Sequence, residues 1–268
     1  MTEALYEHDG DRFLPTPLTT GPWDSGAQHG GAPSALLARA IERVEAPGPM
    51  QIARLTFELL RPVPLTPLAV ETTVLRPGKK VQLVQASLRT DDDTEVMRAT
   101  SLRIRTADLA VPDSTEPEDP PPGRPEDGQV LQFPEARHDG PSFHAVACDI
   151  RFVAGGFDRP GPATAWIRLT VPVVDGESTS PVMRLAAASD FGNGLSWSLP
   201  RGQWLFINPD LTVHLHRPPD GEWVCLRSIT YPSGRGVGFA ESALYDQRGR
   251  IGRAVQSLLL DQLASDPA

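Results

Sequence analysis

Apolar and polar positions alternate along 211–216 (LTVHLH), the period-two pattern of a strand with one face buried. Similar runs, separated by short turns containing Gly or Pro, predict strands over about 51–61, 67–76, 80–90 and 95–105. A second series falls over about 207–217, 222–231, 235–246 and 251–261. Turns this short make neighbouring strands antiparallel. Ahead of each series the period changes. Over 33–46, Leu36, Leu37, Ala40, Ile41 and Val44 recur at helical spacing behind Gly30-Gly31, with Pro33 in the first turn. Over 181–191 a second helix is expected, with Ser180 as N-cap, Pro181 in its first turn and Gly192 as C′. Further strand material is expected over 144–153 and 163–171, and a shorter piece near 4–14.

The two series are copies. Leu55-Thr56-Phe57-Glu58-Leu59-Leu60-Arg61-Pro62 aligns with Leu211-Thr212-Val213-His214-Leu215-His216-Arg217-Pro218 at an offset of 156. Arg98-Ala99 aligns with Arg253-Ala254 at an offset of 155. Register that slips by one loop residue over four strands indicates duplication. Between the copies, 112–128 (PDSTEPEDPPPGRPEDG) combines prolines with mutually repelling acids and reads as an extended linker. The expected organisation is a unit over 1–110, a linker over 111–129 and a unit over 130–268. A helix followed by a four-strand meander is an α+β unit, and its sheet must wrap the helix to bury both apolar faces. That is the hot-dog arrangement. Two in tandem, a double hot-dog, would join their sheets and remove two exposed edges.

Composition narrows the function. A net charge of −9 opposes nucleic-acid binding, which needs a basic face against phosphates. Cys148 and Cys225 are far apart and form no C-x-x-C, so neither a zinc ribbon nor a disulfide framework is suggested. The N-terminal residues carry no basic and apolar signal pattern, and no run reaches the roughly 20 apolar residues of a membrane span, so the expected location is cytoplasmic.

Several residues could carry chemistry. Asp190 falls in the last turn of the second helix, where a carboxylate opposes the helix dipole. It reads either as an exposed acid in a turn or as a general base at a cleft. Gln256 interrupts the apolar final strand, where the first copy has Ser101; it is either a solvent-facing amide or a polar group aimed inward. Asn208, before Pro209, suits a turn. Gln28-His29-Gly30-Gly31 precedes the first helix, whose free N–H groups could meet an anion or an oxyanion. The alternative there is a tight loop-to-helix turn capped by His29. His214 and His216 share a strand face but lack a third ligand, so no metal site is expected. Gly234-Arg235-Gly236-Val237-Gly238 sits in a hairpin and fails the context of a dinucleotide loop. There is no G-x-S-x-G, which lowers the case for a serine hydrolase.

Gln28-His29-Gly30-Gly31, Ser189-Asp190-Phe191, the run Asn208-Pro209-Asp210 through His216-Arg217-Pro218, and Ala254-Val255-Gln256 together resemble the acyl-CoA thioesterase II group of the hot-dog thioesterase superfamily. The resemblance spans most of both halves. It implies a double hot-dog fold, acyl-CoA as substrate and no cofactor. The family's Asp and Gln, which position the attacking water, fall on Asp190 and Gln256. Its Thr falls on Asn208, a departure, although an amide also hydrogen-bonds water. His29, Gly30 and Gly31 would meet the substrate. A dimer of double hot-dogs is compatible with this reading. Two alternatives stand beside it: a non-catalytic acyl-CoA binding protein, and a hot-dog enoyl-CoA hydratase or dehydratase. The latter needs an Asp/His pair, and no Asp is spaced suitably near His29 in the sequence.

Overall fold

The computed structural model describes residues 3–110, 112, 118–131, 140–200 and 202–263. The first copy contains β1 (Tyr6–Asp9), β2 (Arg12–Pro15), α1 (Gly31–Glu42), β3 (Met50–Leu59), β4 (Leu68–Pro77), β5 (Val81–Arg89) and β6 (Glu95–Arg105). The second contains β7 (Cys148–Ala154), β8 (Ala163–Leu169), α2 (Pro181–Ser189), the short α3 (Gly192–Leu195), β9 (Trp204–Ile207), β10 (Asp210–Leu215), β11 (Trp223–Pro232), β12 (Val237–Asp246) and β13 (Gly249–Gln262).

All these strands join one antiparallel sheet in the order β1-β2-β4-β5-β6-β3-β10-β13-β12-β11-β8-β7, with β9 added on β13. Matching β3–β6 to β10–β13 makes that order read alike from both edges. At its centre β3 pairs with β10, and Thr56 lies opposite Thr212, the residue to which the 156-residue offset equates it. On either side Phe57 faces Leu211 and Leu55 faces Val213, so equivalent positions exchange across the pair. The copies therefore meet about a local two-fold axis, marked by the two threonine hydroxyls 3.3 Å apart.

The helices lie on the sheet. α1 packs on β4, β5 and β6, α2 packs on β8 and β11, and the two helices pack on each other. The sequence pattern gave α1 one apolar face, yet every residue from Gly31 to Ile41 is buried. The side turned from the sheet is covered by α2. They run antiparallel: Gly31 meets Ala187, where a Cβ on the glycine would stand 2.6 Å from the carbonyl oxygen. At the other end Ser180 donates to Glu42 at 2.6 Å.

Three details depart from the sequence expectation. The strand expected over 207–217 is divided at Asn208-Pro209, since Pro209 has no N–H for the ladder. The opposite N–H, on Ser257, is taken instead by the Asp210 carboxylate at 2.7 Å. Residues 144–153 begin as a π-helical turn, Phe143–Ala147, before β7. Part of the expected linker, residues 111 and 113–117, lies outside the described residues. Its later part is docked rather than free. Asp119 accepts from Arg250 at 2.8 Å and from the Tyr245 hydroxyl at 3.1 Å, Pro125 is buried, and Gln129 bridges to Phe152.

Candidate active site

Asp190 caps the C-terminus of α2. Its carboxylate opposes the dipole of its own helix, but antiparallel packing turns it onto the N-terminus of α1, whose positive end compensates. The approach is close because Gly30 has no side chain: a Cβ there would lie 2.9 Å from Asp190 Oδ2. The His29 ring nitrogen Nδ1 stands 3.1 Å from the same oxygen. The other oxygen, Oδ1, accepts from Asn208 Nδ2 at 2.8 Å and from Gln256 Nε2 at 3.2 Å. Three distant segments thus converge on one carboxylate, with only 7% of the Asp190 side chain exposed. Burial pushes the acid up. The His29 hydrogen bond and charge, the Asn208 amide and the Gly31 N–H outweigh it and hold the carboxyl below the ordinary aspartate value. Asp190 is ionised at neutral pH.

The strands supply the amides. Asn208 sits in the break between β9 and β10, which both run along β13, so it marks a strand interruption rather than a turn, with its amide on Asp190. Gln256 lies on β13 and is 2% exposed, which excludes the solvent-facing alternative. Its Nε2 also donates to the Asp190 carbonyl at 3.2 Å, and its Oε1 accepts from the Asn193 N–H at 3.2 Å. Gly192, expected as a left-handed C′, is not among the positive-φ glycines. It begins α3 and is needed for closeness: a Cβ would come within 2.9 Å of both Gln256 Oε1 and Ser242 Oγ.

His29 is held by backbone and ring contacts. Its N–H donates to the Thr19 carbonyl at 2.8 Å, and its ring packs against Phe143 and Phe191, with centroids 4.9 and 4.8 Å away. The Gly31 N–H faces Nδ1 at 3.0 Å. Of the two glycine N–H groups expected to meet substrate, that of Gly31 is therefore turned to His29 and Asp190. The Gly30 N–H makes no hydrogen bond among the described residues. The sequence offered no acid spaced to pair with His29; α2 brings Asp190 to it through space. His214 and His216 are exposed, and His216 bonds the Arg250 carbonyl at 3.0 Å.

The opposite end of the helix pair holds the counterpart of this cluster, which the sequence reading missed. Aligning the helices on Pro33 and Pro181 sets Glu42 against Asp190 and Glu177 against His29. The strand offsets set Ile52 against Asn208 and Ser101 against Gln256. Glu177 accepts from Arg39 Nε and Nη2 at 2.6 and 2.5 Å and from Arg43 at 2.7 Å. Arg39 first, with His8 and Arg43 adding, outweighs burial and holds the Glu177 carboxyl at about 2. Arg103 reaches under α1 to the carbonyls of Ile41 and Val44. Burial raises the Glu42 carboxyl, against lowering by Ser180 and Arg103.

Residues 114–260 match the family described as acyl-CoA thioesterase C-terminal domain, and residues 19–104 match the acyl-CoA thioesterase N-terminal domain. Among solved structures, the fold resembles a candidate thioesterase II from Thermobifida fusca (19% identity, 97% of this chain and 96% of that one, TM-score 0.71). It also resembles a hot-dog protein of unknown function from Alicyclobacillus acidocaldarius (17%, 98% and 97%, 0.69). A third is an acyl-CoA thioesterase II from Mycobacterium marinum (17%, 91% and 93%, 0.62). At these identities the likeness is one of fold. No curated protein matches the sequence.

Proposed function

Since the chain belongs to the acyl-CoA thioesterase family and is a thioester hydrolase, we propose that it cleaves acyl-CoA by direct attack of water activated at Asp190. The fold in this reading is a double hot-dog, each helix central to its own sheet half. The units run over 1–110 and 130–268, joined by 111–129. Family matches ending at 104 and resuming at 114 support that division.

The observation that carries the mechanism is a buried carboxylate with Asn208 on one oxygen at 2.8 Å and His29 on the other at 3.1 Å. Asn208 keeps a second N–H and its carbonyl for a water. Gln256 already donates to the Asp190 carbonyl and carboxylate, so its part is to orient the acid. Asp190 takes a proton as the water oxygen bonds to the thioester carbonyl carbon. The Gly30 N–H, at the positive end of α1, stabilises the oxyanion. The C–S bond then breaks, the proton passes to the thiolate, and a free acid and CoA thiol leave. Thiolate is a good leaving group, so Asp-activated water suffices.

Thiol release from a panel of short, long, branched and aromatic acyl-CoAs, by wild type and Asp190→Asn, tests this. Equal rates for the two proteins would remove Asp190 as the base. Saturable binding without thiol release across the panel would favour the acyl-CoA binding reading. The His29–Asp190 contact favours one second reading, an enoyl-CoA hydratase, for which water addition to an enoyl-CoA without thiol release is the signature. Among the described residues no helix is long and apolar enough to cross a membrane. Pairing of two chains belongs to the same proposal, and light scattering on the purified protein measures it.

A further inference from the structure

Nδ1 of His29 cannot accept the Gly31 N–H at 3.0 Å and donate to Asp190 Oδ2 at 3.1 Å at the same time. A bare lone pair on Nδ1 would face a buried, ionised carboxylate and be repelled by it. The proton therefore resides on Nδ1, and the Gly31 N–H leans toward the carboxylate. Phe143 and Phe191, themselves stacked 5.9 Å apart, both pack against the ring, and the Thr19 carbonyl fixes the backbone. Nε2 makes no hydrogen bond among the described residues, so the ring's one strong contact is Asp190. The two residues come from different copies of the repeat, and the antiparallel helix packing brings them together.

We propose that His29 is a positioning residue for hydrolysis: its Nδ1–H grips Asp190 Oδ2 and turns Oδ1 toward Asn208 and the attacking water. This rests on Asp190 being the base. The groups that face Asp190 are His29 and the Gly31 N–H from the α1 side, Asn208 from the β9–β10 break and Gln256 from β13. His29 is the titratable one among them. Without it the desolvation of Asp190 loses its largest counterweight, and the carboxyl rises.

The test compares His29→Phe with His29→Asn. Phenylalanine keeps the aromatic packing against Phe143 and Phe191 without a donor, and asparagine presents an N–H near the place of Nδ1. Each is followed by kcat, KM and the pH profile of kcat/KM on the best substrate of the panel, with thermal melting to verify folding. The expected result for His29→Phe is a kcat lower by about 10- to 100-fold with little change in KM. Its acid limb should move up by roughly one pH unit. Asparagine should recover most of the rate and return the limb toward wild type. A histidine ¹⁵N spectrum of the wild type should show Nδ1 protonated. An unmoved acid limb in His29→Phe, or asparagine no better than phenylalanine, overturns the proposal. If Asp190→Asn keeps full activity, the base assignment fails instead, whatever the His29 variants do.

Discussion

At one end of the α1–α2 pair Asp190 meets His29; at the other, Glu42 meets Ser180. The two ends are products of one duplication and share the same sheet, the same antiparallel helix contact and a carboxylate at the end of a helix. Their electrostatics are opposite. Asp190 is buried yet held low, because His29, Asn208 and a helix N-terminus face it. Glu42 is pushed up by burial, with Ser180 and Arg103 against it. Where Asn208 and Gln256 stand at the first end, Ile52 and Ser101 stand at the second, and the buried Ser101 hydroxyl has no hydrogen-bond partner among the described residues. Where His29 stands, Glu177 is locked by Arg39 and Arg43. The fold supplies two places for a carboxylate. The donors around each differ, and in the proposed reading only the first is a base.

The largest way to break this contrast is Asp190→Asn, which should lower kcat/KM for acyl-CoA by about 10³ while the melting temperature holds. The lock is tested by Arg39→Ala. Arg39 is 5% exposed, and removing it leaves Glu177 with its best partner gone, so stability should fall by about 3–5 kcal/mol in chemical denaturation. Activity of the folded enzyme should be unchanged. The sign with pH follows from the Glu177 carboxyl held at about 2 against an ordinary 4.5. Its contribution is complete above pH 4.5 and is lost as pH falls toward 2, so the wild type should shed stability across that window and Arg39→Ala should shed much less.

A smaller effect is expected at Gly192→Ala. The new Cβ would press on Gln256 Oε1 and Ser242 Oγ, displace the amide from Asp190 and lower kcat by about tenfold, read in steady-state kinetics against an unchanged fold. The smallest is Asn208→Thr, which restores the residue type of the resembled group. A hydroxyl can still donate toward Asp190 or a water, so kcat should stay within about fivefold of wild type. A loss as large as that of Asp190→Asn would mean that the amide itself is indispensable.

Much of this was legible in the chain because strands write their burial into alternate residues. The β3–β6 and β10–β13 segments follow the alternation and its turns, and the duplicated LTFELLRP and LTVHLHRP motifs put Thr56 and Thr212 at the centre of the sheet. An irregularity at Asn208-Pro209 was legible because Pro cannot donate to a ladder, although the chain runs on along β13 instead of turning. What the sequence hid are contacts made through space. The α1 pattern showed one apolar face because helical periodicity says nothing of a second helix on the other side. His29 and Asp190 are far apart in the chain, and only antiparallel helix packing makes them neighbours. Gly192 looked like a helix stop because a glycine after a helix has that use, whereas here its missing Cβ makes room for Gln256. Asp119 looked like linker charge, yet it is anchored by Arg250 and Tyr245. One signal was readable and missed: lining up Pro33 with Pro181 sets Glu42 opposite Asp190.

The most direct measurement is the rate of CoA thiol release by Asp190→Asn and Glu42→Gln, assayed side by side with wild type on the same acyl-CoA. The two-ended account predicts that the first loses about three orders of magnitude and the second keeps the wild-type rate within about twofold. Equal losses at both ends, or full activity in Asp190→Asn, would contradict it.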